Sequence, residues 1–120
     1  MREIKKVKTY QKSATIVLTP EDQIIYIYER DENNKTIEVV NVSYQILIDS
    51  CWVTIIRFDS EHGYLHGHRR VTLDRESEIV FTANFFPKKG GPRRWLTWSI
   101  QHLKEKYLIY KKSFLKEKGY

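Results

Sequence analysis

The spacing of apolar residues changes character at about residue 86. Before it, apolar side chains recur every second position, the period of a half-buried strand; after it they recur every third or fourth, the period of a helix face. In residues 13–19, Ala14, Ile16 and Leu18 alternate with Thr15, Val17 and Thr19. Thr19-Pro20-Glu21-Asp22 is turn chemistry, with proline presetting its own φ. Residues 23–29 are rich in isoleucine and tyrosine and predict a second strand; the polar run 31–35 predicts a hairpin loop. Residues 36–48 form a long third strand whose phase slips at Val39-Val40, which predicts a bulge. Strands are also predicted over 51–59, 64–73 and 78–86, the last with Ile79, Phe81, Ala83 and Phe85 toward the core.

Residues 87–94 form a basic Gly/Pro loop that ends the sheet. From 93 to 118, Leu96, Ile100, Leu103, Tyr107, Tyr110 and Phe114 mark one apolar stripe. That is a helix on the order of 39 Å long at 1.5 Å per residue. Pro92 suits its first turn and Gly119 its stop. The predicted fold is α+β: a largely antiparallel sheet of about six strands, with one long C-terminal amphipathic helix packed on one face. No repeat or linker interrupts the pattern, so residues 1–120 read as a single domain, with 1–12 a basic arm or edge strand.

Charge changes the picture. Residues 1–60 carry 8 Lys/Arg against 9 Asp/Glu, and residues 61–120 carry 13 against 6, so the whole net charge of +6 belongs to the second half. A field of this kind attracts polyanions, RNA or DNA first among them. No apolar run reaches the roughly 18 residues of a membrane span, and no signal peptide opens the chain, so a cytoplasmic protein without a membrane partner is expected. Cys51 has no cysteine to pair with, fits a reducing compartment, and reads as a buried, inert thiol. The long helix and lone sheet suit a homodimer.

Three of the four histidines fall within seven residues, in Arg57-Phe58-Asp59-Ser60-Glu61-His62-Gly63-Tyr64-Leu65-His66-Gly67-His68-Arg69-Arg70. Strands 51–59 and 64–73 read as a hairpin. A loop at 60–63 pairs Asp59 with Tyr64 and Arg57 with His66. A tight turn at His62-Gly63 pairs Asp59 with His66 and Arg57 with His68. Both registers have the same parity, so Arg57, Asp59, Tyr64, His66, His68 and Arg70 share one face. Trp52, Ile56, Phe58 and Leu65 take the other. A carboxylate beside an imidazole orients it, and an arginine steadies phosphate charge. His66 and His68 are therefore the candidate acid and base of RNA cleavage, with Asp59 as orienter, Arg57 as phosphate ligand, and His62 and Tyr64 in support. No cofactor is required; in an alternative reading His66 and His68, with His62 or Asp59 as third ligand, bind zinc or another divalent metal. All of this expects a common, water-reachable patch. Lys88, Lys89, Arg93 and Arg94 around Gly90-Gly91, together with Arg70, are candidate nucleic-acid contacts.

The block Arg57 to His68, followed by a basic amphipathic helix, resembles the TumE-type family of small prokaryotic toxin-like proteins and related uncharacterised archaeal proteins, over roughly residues 51–115. The positions matched are Arg57, Asp59, His62, His66 and His68. The resemblance implies a cytoplasmic toxin-like ribonuclease with a cognate antitoxin protein. Two other expectations stand beside it. One is an HUH-like metal-dependent DNA-nicking protein, with Tyr107 or Tyr110 as nucleophile, although both lie on the apolar stripe. The other is a non-catalytic module that binds nucleic acid or protein.

Overall fold

The computed structural model describes residues 8–61, 63–69, 78–81 and 90–117, with 78–81 described by backbone alone. Six strands precede one helix: β1 (Tyr10–Thr19), β2 (Asp22–Arg30), β3 (Thr36–Ile48), β4 (Cys51–Asp59), β5 (His66–Arg69), β6 (Glu78–Phe81) and α1 (Gly91–Glu117). The strands lie side by side in chain order, every neighbour antiparallel. This is the α+β architecture the periodicities predict. No helix among the described residues is long and apolar enough to cross a membrane.

Local chemistry closes the first three hairpins. The Thr19 hydroxyl accepts the Glu21 N–H at 3.1 Å and donates to the Asp22 carboxylate. Asp31 Oδ1 accepts the N–H groups of Asn33 and Lys35, both at 2.9 Å. Asp49 and Ser50 take left-handed φ values of 49° and 65°, the pair of positive angles that lets a two-residue turn follow the twist of β3 and β4.

The core lies on one face of the sheet. Ile24, Tyr44 and Ile56 sit in one row across β2, β3 and β4, beside Val42 and Phe58, all fully buried. Helix α1 covers this face with buried Leu103 and Phe114 and with half-buried Trp95, Leu96, Trp98, Ile100, Tyr107 and Tyr110. Every position of the predicted stripe therefore meets the core. Burying Leu103 and Phe114 contributes roughly 1.5–3 kcal/mol each. A buried polar clamp ties helix to sheet: the Tyr44 hydroxyl donates to Asp22 Oδ1 at 2.5 Å, and Lys111 Nζ donates to Oδ2 at 3.1 Å. Burial alone raises the pKa of Asp22. Hydrogen bonds from Thr19, Tyr44 and Lys111, with the Lys111 charge, outweigh that and hold it below the ordinary carboxylate value.

Two of the register shifts between strands bear on the sequence expectations. Ile27 pairs with Asn41 and Tyr28 with Val39, so Val40 is the extra residue, at the predicted phase slip. A second lies at Ile55, since Tyr44 pairs with Ile56 and Gln45 with Thr54. It reverses the parity of β4 toward the hairpin tip. Trp52, expected on the apolar face with Ile56 and Phe58, instead stands 42% exposed, opposite Leu47. Cys51, expected to be buried, is exposed at the hairpin end.

Other boundaries move slightly. Residues 10–12 are edge strand. Residues 70–73 of the predicted fifth strand, and 82–86 of the sixth with Ala83 and Phe85, lie outside the described residues. The helix starts at Gly91, after Gly90 at φ 98°, with Pro92 in a first turn where its missing N–H costs nothing. Arg93 and Arg94, expected in the loop as well as at the helix start, are both helical.

Candidate functional site

The pairing of β4 with β5 decides between the two registers. Asp59 faces His66 and Arg57 faces His68. All four side chains then project from the sheet face opposite α1, while Ile56, Phe58 and Leu65 are buried in the core. The connection is longer than a tight His62-Gly63 turn, because Ser60 leaves the hairpin and bonds to β3. Its N–H donates to the Val39 carbonyl at 2.8 Å. Its hydroxyl accepts the Val39 N–H at 2.9 Å and donates to the Val39 carbonyl at 3.3 Å. Gly63, at φ 83°, donates back to the Ser60 carbonyl at 3.0 Å and closes a turn.

Asp59 is the hub of the cluster. Its Oδ1 lies 2.8 Å from His66 Nε2 and accepts the Glu61 N–H at 3.2 Å. Its Oδ2 lies 3.4 Å from His68 Nε2 and 3.8 Å from Arg57 Nη1. The two imidazoles sit 5.0 Å apart, edge to face. On its other side, His66 Nδ1 lies 3.2 Å from the Tyr64 carbonyl oxygen, and the Tyr64 ring tilts against the imidazole at 5.5 Å.

The cluster is less open than the sequence suggests. The side chains of Asp59 and His66 are 7% exposed, that of His68 14% and that of Arg57 42%. Asp59 Oδ1 takes the Glu61 N–H, and the Tyr64 ring lies against His66. Arg57, His68 and the half-exposed Tyr64 are the members that meet water. Burial lowers the pKa of His68, with Arg57 and His66 adding to the effect and Asp59 opposing it, so its imidazole is neutral near pH 7. Glu38, on β3 beside Val39, is raised by burial first and then by Glu29, Glu61 and Asp59.

Sequence reasoning missed two neighbours. Ser60 anchors the connection, and Glu38 adds negative charge. On β3, Asn41 precedes the Val42 that pairs with Phe58. The Asn41 carboxamide oxygen is buried with no hydrogen-bond partner. The Val39-Val40 slip signalled a bulge, but not that Ser60 would bind there.

The remaining candidates are not brought to the cluster. His62, Arg70, Lys88 and Lys89 lie outside the described residues. Arg93 and Arg94 are exposed in the first turn of α1. With Gly90, Thr97, Trp98 and Gln101 they line a cavity of about 560 Å³ on the helix side of the sheet. Tyr107 packs on Tyr44 at 5.4 Å, and the Tyr110 hydroxyl meets His102 Nε2 at 2.6 Å. Both tyrosines thus belong to the helix–sheet interface, across the sheet from His66 and His68. His102 is half-buried and stacks on Trp98 at 4.6 Å. Burial first, then Lys106, lowers its pKa.

Residues 8–120 match a family described as Domain of unknown function (DUF7718). No curated protein and no solved structure matches the chain.

Proposed function

The chain belongs to the DUF7718 family, and from its own residues we propose that it cleaves phosphodiester bonds in nucleic acid, RNA before DNA. The observation that carries this reading is the convergence of a guanidinium, a carboxylate and two imidazoles on one register-locked hairpin. Arg57 is the exposed member, so it grips the phosphate. Behind it the Asp59–His66–His68 cluster takes up the proton of the attacking hydroxyl, with His68 the more accessible imidazole. In RNA the 2′-oxygen forms the new bond to phosphorus. The bond from phosphorus to the 5′-oxygen breaks, and a proton returns to the leaving oxygen. The excess of cations in residues 61–120 supplies long-range attraction for the polyanion.

The test is cleavage of an end-labelled single-stranded RNA, compared with its DNA counterpart and with a 2′-O-methyl RNA. The reading expects the plain RNA to be cut and the 2′-O-methyl RNA to survive. Arg57→Ala should slow cutting by about 100-fold or more. Equal cutting of all three substrates, or no cutting of any, overturns it.

A further inference from the structure

We propose that Asp59, His66 and His68 form a binding site for one first-row divalent transition-metal ion. This rests on the proposed function only in sharing its site; the metal is the added claim. The first support is geometric. One ligand atom from each residue lies within 4.8 Å of the others. Bonds of about 2.0–2.2 Å set ligand atoms roughly 3 Å apart, so small side-chain shifts close the triangle around an ion.

The second support is the setting of His66. Its Nδ1 lies 3.2 Å from the Tyr64 carbonyl oxygen, and a backbone carbonyl on the far nitrogen is the usual support of a ligating imidazole. In the tautomer that donates there, the Nε2 lone pair faces Asp59 Oδ1 at 2.8 Å, with His68 Nε2 3.4 Å from Oδ2 of the same carboxylate, an arrangement that one cation satisfies.

The surroundings agree. Glu38 feels the charge of Asp59 together with those of Glu29 and Glu61, so anionic side chains stand near the carboxylate. Two nitrogens and one carboxylate favour an ion such as zinc or manganese over magnesium or calcium, which prefer all-oxygen shells. With the ion bound, His66 and His68 are ligands rather than bases, and a water on the ion, made acidic enough to supply hydroxide near neutral pH, takes the hydroxyl proton in their place.

The experiment titrates the full chain with zinc or manganese alone by calorimetry, in a Cys51→Ser background that removes the exposed thiol as a competing ligand. The expected result is one ion per chain, with affinity lowered more than about 100-fold in His68→Gln and Asp59→Asn. Circular dichroism checks both variants. If Asp59→Asn does not fold, the more exposed His68→Gln decides. No uptake, or uptake unchanged in folded His68→Gln, overturns the metal site. No uptake together with RNA cleavage in metal-free protein overturns the metal site while leaving the proposed function standing. Stoichiometric uptake without cleavage of any nucleic acid supports the metal site and removes the function.

Discussion

Replacing Ser60 with alanine tests how the hairpin is held in the register that assembles the site. The Ser60 hydroxyl accepts the Val39 N–H at 2.9 Å, and both residues are buried, at 5% and 0% exposure. The alanine methyl leaves that N–H without a partner and out of reach of water, which costs about 1–3 kcal/mol. The second bond, from the hydroxyl to the Val39 carbonyl, is long at 3.3 Å. The same carbonyl keeps the Ser60 N–H at 2.8 Å, so this loss adds little. The expected destabilisation is therefore about 2 kcal/mol. With a urea slope of roughly 2 kcal/mol per molar, the unfolding midpoint falls by about 1 M. Ser13→Ala, at an exposed position of β1, is the control and should stay within about 0.5 kcal/mol. Equilibrium urea unfolding of the three proteins reads both effects. A Ser60→Ala midpoint indistinguishable from wild type refutes the view that Ser60 fastens the connection to β3.

Other expectations follow from the same contacts. Asp22 has a folded pKa below its unfolded value of about 3.9, so its contribution is present above that pH and lost as pH falls through the folded pKa. The stability gap between wild type and Asp22→Asn should thus be wide at neutral pH and shrink under acid, as read by urea midpoints across pH; a constant gap contradicts this. Leu103→Ala empties a fully buried site between helix and sheet and should cost about 2–5 kcal/mol in the same assay. Arg57→Ala should change stability by less than about 1 kcal/mol, because its pair with Asp59 is partly exposed, even though RNA cleavage falls. Joint replacement of Arg93 and Arg94 by alanine should weaken RNA binding and lower its log–log salt slope by about 2, measured by fluorescence anisotropy in increasing salt.

Much of this was legible in the sequence because burial leaves a periodic trace. Leu96 to Phe114 announce the helix face, and the alternation from Ala14 to Tyr44 announces the first three strands. Arg57, Asp59, His66 and His68 were placed together by parity alone, since both plausible registers differ by an even number of residues. What the sequence hid depends on single events in tertiary space. Ile55 and Ile56 are both apolar, so nothing marks Ile55 as the bulge that turns Trp52 outward. Ser60 looks like an ordinary loop serine until β3 is beside it. The side chains of Asp59 and His66 are both 7% exposed, so the cluster is far less open than side-chain polarity suggests, and no local pattern reports that burial.

The central claim is that Arg57 and the buried carboxylate–imidazole cluster serve one reaction. Single-turnover cleavage of RNA by wild type, Arg57→Ala, His68→Gln and the double variant measures it most directly. Groups acting on the same transition state lose rate non-additively. Each single variant should be slower by about 100-fold or more, with the double variant no more than roughly 10-fold below the slower single one. Wild-type rates in either single variant, or losses that simply multiply in the double, contradict the account.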